Sequence, residues 1–210
     1  ARALLRWGQA VWARSDFKDA IAAFNTAGDI FLASRDSVGI GTASGLLALA
    51  EEERGNYDKS FQYAIRALNV HADEAYVALG QLYADVGDYE TALDFYARIK
   101  NPGYKILSYL KVGEVYSLQN DFTHAEHYYQ GYLKTLNKAD KYDFSKPYTL
   151  MGEMYVSMGK YDTALYYLNT ALTGFRQVND NNWVMRTLLE LGKAYNALHK
   201  TDRAINFLNQ

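Results

Sequence analysis

Residues 148–172 read Tyr148-Thr149-Leu150-Met151-Gly152-Glu153-Met154-Tyr155-Val156-Ser157-Met158-Gly159-Lys160-Tyr161-Asp162-Thr163-Ala164-Leu165-Tyr166-Tyr167-Leu168-Asn169-Thr170-Ala171-Leu172. Two helical stripes flank a short break. Tyr148, Met151, Gly152 and Tyr155 share one face at i, i+3, i+4 and i+7, and Ala164, Leu165, Leu168, Ala171 and Leu172 share another. Between them, Gly159 suits the left-handed conformation that ends a helix. Asp162 falls in the first turn of the next helix, where a carboxylate meets the positive end of the helix dipole. Gly152 and Ala164 are small where two antiparallel helices must approach closely. The stretch predicts a helical hairpin.

The hairpin recurs along the whole chain. The small residue of the second helix repeats as Ala20, Ser60, Ala92, Ala125, Ala164 and Ala204. Twelve residues before each stand Gly8, Ala48, Gly80, Gly113, Gly152 and Gly192, and three beyond those come Val11, Glu51, Tyr83, Tyr116, Tyr155 and Tyr195. Second helices open on Phe17, Tyr57, Tyr89, Phe122 and Tyr161, with Thr201 breaking the row. Six copies in register are more than amphipathic composition alone produces.

This pattern resembles the tetratricopeptide repeat, with its W-x2-L-G-x2-Y and A-x3-F signatures. Leu79-Gly80-x2-Tyr83, Val112-Gly113-x2-Tyr116, Met151-Gly152-x2-Tyr155 and Leu191-Gly192-x2-Tyr195 carry the first half. Ala20-x3-Phe24, Ala92-x3-Tyr96, Ala125-x3-Tyr129 and Ala164-x3-Leu168 carry the second. The family's closing proline is missing from each copy, and repeat two departs most, with Ala48, Glu51 and Ser60. The resemblance implies an all-α, right-handed superhelical solenoid of about six antiparallel helix-turn-helix repeats. A single solenoid over residues 1–210 is expected, with repeats at 1–40, 41–72, 73–105, 106–144, 145–184 and 185–210, the last one truncated. Three repeats exceed the standard length of about 34 residues. The longer form resembles arrays in bacterial signalling and regulatory proteins, and occurs in eukaryotic polarity scaffolds too.

Between helices, the residues predict connectors at 35–39 and 179–182, a polar loop at 137–142, and a turn at Asn101-Pro102-Gly103 with Gly103 at positive φ. Pro147 is expected in the first turn of its helix. The aromatics one place before the Phe position, namely Tyr63, Phe95, Tyr128, Tyr167 and Phe207, are expected to make contacts between repeats, stacking into a seam, with a convex-side binding strip as the alternative.

Composition narrows the functional classes. Hydrophobic residues make up 49% of the 210, enough for a core, and no apolar run reaches the length of a membrane span, so membrane insertion of this segment is not expected. The formal charge is −2 with signs interspersed, unlike the basic stripe of a nucleic-acid surface. There is no Cys, hence no disulfide, thiolate metal site or thiol nucleophile, and cytoplasmic and periplasmic locations fit equally. His124 and His127 stand at i, i+3, but two histidines fall short of the four ligands of a structural metal site. Gly39, Gly41 and Gly45 lack the spacing and the Lys-Ser or Lys-Thr of a phosphate loop. No catalytic residue, metal or cofactor is assigned. The chain reads as a non-enzyme.

What remains is a surface. Stacked hairpins curve, and the resemblance places the first helix of each on the concave side, where such arrays hold a protein or peptide partner. The groove candidates are Arg6, Gln9, Gln81, Lys111, Glu114, Lys146, Glu153, Arg186 and Lys193. Charge reversal at Glu114 and Glu153 is expected to weaken binding without altering the melting curve. No three successive repeats supply the Lys, Asn and Arg set of the family's carboxylate clamp, which argues against a chaperone-tail receptor. At the other end, Ala204, Ile205, Phe207 and Leu208 predict a helix with an uncovered side, a further helix after it, and self-association through the C-terminal end. The expected function is a protein- or peptide-binding module, the sensory or interaction region of a larger bacterial signalling or regulatory protein. The alternative is a stand-alone scaffold or assembly factor with no signalling output.

Overall fold

The structure, a computed structural model, describes residues 1–14, 16–70, 72–136, 144–200 and 205. Eleven helices are found among them, and no strand. They are α1 (Arg2–Trp12), α2 (Phe17–Ala33), α3 (Ser37–Glu53), α4 (Tyr57–Leu68), α5 (Asp73–Asp85), α6 (Tyr89–Ala97), α7 (Pro102–Leu118), α8 (Phe122–Thr135), α9 (Ser145–Ser157), α10 (Tyr161–Gln177) and α11 (Asn181–Ala197). They fall into two compact units, Ala1–Lys111 and Val112–Gln210, with the boundary inside α7. The predicted loop at 137–142, His71 and most of the predicted final helix lie outside the described residues.

The first unit is a stack of hairpins. α1 packs on α2, α3 on α4 and α5 on α6, while α3 also packs on both α1 and α5 to make one layer. Its core joins Leu5, Phe24, Phe31, Leu46 and Leu47 with the alanines between them. The second unit repeats the plan with α9 on α10, α10 on α11 and α9 on α11, burying Met151, Met154, Leu168, Phe175 and Leu191. This is the solenoid class, an all-α fold of superhelical hairpin repeats.

Four of the hairpins close in the same way. The residue four after the small alanine lies directly over the repeat glycine of the facing helix. A Cβ on Gly8, Gly80 or Gly113 would stand 2.5 Å from the ring of Phe24, Tyr96 or Tyr129, and one on Gly152 would stand 2.5 Å from Leu168. Repeat two solves the contact differently. Ala48 replaces the glycine, Ala64 replaces the ring, and both are fully buried. The odd Ser60 donates its hydroxyl to the Ala48 carbonyl at 2.7 Å. Glu51, standing where four other copies have Tyr, accepts from Asn56 Nδ2 at 2.6 Å. In α3, Gly39 faces Phe31, Gly41 faces Val70 and Gly45 faces Glu74, so these glycines serve packing.

Helix breaks are shorter than the sequence suggests. At six of them one residue takes positive φ and the next stands at the N-cap of the following helix. Arg35, Gly55, Gly87, Asn120, Gly159 and Asn179 have φ between 55° and 84°. Asp36, Asp88, Asp121 and Asp180 follow four of them, each accepting a backbone N–H three residues on. The connectors predicted at 35–39 and 179–182 are therefore mostly helix, starting at Ser37 and Asn181. The predicted turn at residues 101–103 differs too. Asn101 Oδ1 accepts from Gly103 N at 2.9 Å, and Pro102 opens α7, where a missing N–H costs nothing. Gly103 is not among the residues at positive φ.

At Gly159 the break carries a prediction. Its φ of 71° lets Lys160 N reach the Tyr155 carbonyl at 2.9 Å. Gly159→Ala is expected to cost about 1 kcal/mol in a denaturant melt, the penalty of a Cβ in the left-handed region. An unchanged midpoint would contradict it.

Three aromatics of the row stack on the repeat tyrosine of their own hairpin. Phe95 stacks on Tyr83 (5.5 Å, 21°), Tyr128 on Tyr116 (5.5 Å, 16°) and Tyr167 on Tyr155 (5.5 Å, 9°), each pair within its own hairpin. A link between neighbouring hairpins comes from the Tyr155 hydroxyl, which donates to Glu126 Oε1 at 2.8 Å. Phe207 lies outside the described residues.

Candidate functional site

The first helices of the second unit carry a cluster of charged and aromatic side chains. Arg186 on α11 makes a two-pronged contact with Glu153 on α9, Nε to Oε1 at 2.5 Å and Nη2 to Oε2 at 2.7 Å. Its Nη2 also lies 3.7 Å from Oε1 of Glu114 on α7. The guanidinium sits 4.9 Å from the centroid of the Trp183 ring, and Lys146 Nζ sits 5.4 Å from the same centroid. Trp183 in turn stacks on the buried Phe175 (5.4 Å, 18°). Further along α11, Lys193 Nζ pairs with Glu190 Oε1 at 2.6 Å.

Local folding fixes these positions. Asp180 caps α11 through Trp183 N, which sets the start of the helix. One turn later the buried Thr187 hydroxyl meets the Thr149 hydroxyl of α9 at 3.0 Å, a polar lock between the two helices. Glu114 and Glu153 both stand one residue after the repeat glycine. Arg186 stands six before its own, a place the stacking brings opposite them.

The electrostatics follow from the geometry. Burial lifts the Glu153 carboxyl above the ordinary range; the Arg186 guanidinium opposes this, and neighbouring Glu190 and Glu114 add to it. Arg186 is held firmly charged because the hydrogen bonds and charge of Glu153, with Glu114 and Glu190, outweigh its burial. The Tyr129 phenol is pushed well up by burial, then by Glu114 and Glu153. Arg186 and Lys193 expose 43% and 53% of their side chains, against 23% for Glu114 and Glu153 and 11% for Glu190. The carboxylates line the floor and the cations the surface.

Five of the nine groove candidates thus gather here: Glu114, Lys146, Glu153, Arg186 and Lys193. The other four belong to the first unit. Arg6 and Gln9 are exposed on α1, Gln81 Nε2 bonds Asp85 Oδ1 at 2.9 Å on α5, and Lys111 is half-buried on α7. Also in that unit, Trp12 Nε1 donates to Glu53 Oε2 at 2.9 Å. Glu74 is buried, its carboxyl raised by desolvation and eased by the Tyr104 hydroxyl. Sequence reasoning missed Trp183, Glu190 and the two threonines. The signal available was positional: Trp183 occupies the place in its repeat that Tyr104 holds in repeat four. Glu114 and Glu153 are not free charges either, since Arg186 engages both, so reversing them disturbs packing too. Among the described residues no group of His, Asp and Glu is placed to hold a metal ion, and no helix is long and apolar enough to cross a membrane.

The arrangement is that of a helical-repeat scaffold presenting an ordered face to other proteins. The chain carries tetratricopeptide repeats: models of that repeat match residues 75–101 and 143–210. The crystal structure of BtubC (BKLC) from P. vanneervenii is similar, at TM-score 0.64 and 19% identity over 92% of this chain and 89% of that one. The apo form of the quorum sensor NprR from B. thuringiensis is similar at TM-score 0.71 and 14% identity, over 99% of this chain. This chain spans 62% of the NprR chain. A crystal structure of MamA protein is similar at TM-score 0.52 and 18% identity, over 83% of this chain and 89% of that one. At these identities the likeness carries the fold alone. No match was found among curated proteins.

Proposed function

We propose that this chain is a non-catalytic protein- or peptide-binding module whose recognition face in the second unit is built from α7, α9 and α11. The observation that carries this is Trp183, seated on Phe175 and bearing Arg186 and Lys146 on its ring. Aromatic and arginine anchors held rigid before binding are what interface hot spots consist of. Arg6, Gln9, Gln81 and Lys111 are proposed as the corresponding contacts in the first unit. In this reading the chain is the sensory or interaction region of a larger bacterial signalling or regulatory protein. The long repeats and the likeness to a quorum sensor support it. A stand-alone scaffold is the second reading, supported by the BtubC and MamA chains, of which this chain covers 89% each.

The test is selection of peptides from a random displayed library on the immobilised chain, followed by titration of the selected peptides. Trp183→Ala is expected to weaken binding at least about tenfold, as truncation of an anchor does, and Lys146→Glu to weaken it with little change in melting. Peptides that bind both variants as well as the parent would place recognition elsewhere. Flanking sequence separates the two readings: a kinase, cyclase or DNA-binding region in the same polypeptide supports signalling, and none supports the scaffold.

A further inference from the structure

The second helix of repeat two differs from its counterparts on its outer side. Tyr57, Phe61 and Ile65 stand at i, i+4 and i+8 on α4 and are exposed to 53%, 45% and 41%. The equivalents of Tyr57 are Phe17, Tyr89, Phe122 and Tyr161, all half-buried. The equivalents of Phe61 are Ile21, Leu93, Glu126 and Leu165, again half-buried. At the place of Ile65 the other copies carry Asn25, Ala97, Gln130 and Asn169. An isoleucine there serves no need of the repeat, because four other copies fold without a large apolar side chain at that position. Three large apolar side chains in line on one helix form the seam that a second helix covers.

The flank of the seam says which helix. Asp58, Gln62 and Arg66 run beside the apolar stripe, also at i, i+4 and i+8, and Asp58 and Arg66 are exposed. The charge at one end is negative, at the other positive, with a neutral amide between. Such a flank is complementary to itself when reversed. Two copies of α4 packed antiparallel about a two-fold axis near Phe61 would set Tyr57 against the second copy's Ile65 and Asp58 against the second copy's Arg66. The two-fold repeats both contacts on the other side, as in any isologous interface. A parallel pairing about a two-fold puts the two flanks on opposite sides of the seam, where neither Asp58–Arg66 ion pair can form.

We propose that α4 is a homodimerisation surface, pairing antiparallel with α4 of a second copy through Tyr57, Phe61 and Ile65 and through reciprocal Asp58–Arg66 ion pairs. The surface is separate from the peptide-binding face proposed above and does not depend on it. One helix face on each side is a small interface, so the association is weak.

Sedimentation equilibrium of the chain over about 1–500 µM tests this. The expected result is a reversible monomer–dimer equilibrium. Asp58→Arg and Arg66→Asp, each alone, are expected to raise the dissociation constant at least about tenfold, since each sets like charges opposite at both ends of the seam. The double variant reverses both signs together and is expected to return to within about threefold of the parent. Ile65→Asn should abolish the dimer with the melting temperature unchanged, because Asn25 and Asn169 fill that place in other repeats. If Ile65→Asn lowers the melting temperature, Ile65→Gln, which copies Gln130 of repeat four, replaces it, and the charge swap stands independently of either. A chain that is monomeric to about 500 µM, a dimer indifferent to position 65, or a double variant no tighter than the single ones would overturn the proposal. In the first case the stripe belongs to a different partner.

Discussion

Tyr129→Ala is expected to destabilise the second unit by about 3–5 kcal/mol, the range for removing a large buried aromatic side chain. The ring is 1% exposed and closes the α7–α8 hairpin over Gly113. A sharper result is expected from the pair. Gly113→Ala alone forces a Cβ to 2.5 Å from the Tyr129 ring and should cost about 1–3 kcal/mol, as overpacking does. Placed on Tyr129→Ala, the same methyl enters the space the ring has left and gains about 1 kcal/mol of helix propensity over glycine. The double variant should therefore be more stable than Tyr129→Ala alone, a coupling of about 2–3 kcal/mol between the sites. Repeat two already contains this solution as Ala48 and Ala64. Urea melts of the four proteins check it; additive costs would mean that the ring does not rest on the glycine.

Arg186→Ala is expected to lower stability by about 1–2 kcal/mol near neutral pH. A fully buried pair would cost about 3–5 kcal/mol to break, but solvent reaches Arg186, which is 43% exposed, and screens part of the loss. The effect should depend on pH in one direction. Burial already raises the Glu153 carboxyl above its ordinary value of 4.5, and losing the guanidinium raises it further. A group whose folded pKa lies above its unfolded one contributes stability that is fully present below the unfolded value and lost as pH rises through the folded one. The gap between variant and parent should therefore be widest near pH 7 and close as pH falls below about 4.5, when Glu153 is protonated. Thermal melts from pH 3.5 to 7.5 read this out. A gap independent of pH would mean that the ring contact with Trp183, not the charge, is what Arg186 supplies.

Much of the hairpin plan was legible because it rests on local chemistry. Gly159 lies at positive φ and ends its helix, as a residue without a Cβ should at that point. Pro147 sits in the first turn of α9, where its missing N–H is harmless. The connectors mislead because polar residues in a row look the same whether they form a loop or cap a helix. Ser37, Val38 and Gly39 are helical because Asp36 accepts from Gly39 N at 2.9 Å. Asn120 and Asn179 adopt the left-handed break that glycine performs elsewhere, which asparagine tolerates and a search for glycine overlooks.

The site was legible only as a set of positions. Counting along each repeat names Glu153 and Arg186 as residues of first helices, but not as partners, since 33 residues separate them. Their meeting depends on the stacking of α11 against α9, which Thr149 and Thr187 lock from within the core. The aromatic row was ambiguous in the same way, because an even spacing along the chain does not say whether rings meet across hairpins or inside one.

By itself the sequence determined the helical hairpin, its repetition and the family, because glycine, alanine and aromatic positions recur at intervals imposed by helix geometry and close packing. Tertiary structure alone decided which charges are spent on one another and which surfaces stay open. Arg186 looks like a free groove cation until Glu153 and Trp183 are found around it, and Tyr57, Phe61 and Ile65 look like core until α4 is seen to leave them uncovered. Pairing and exposure are set by distances between helices that are remote along the chain, and no local pattern carries those distances.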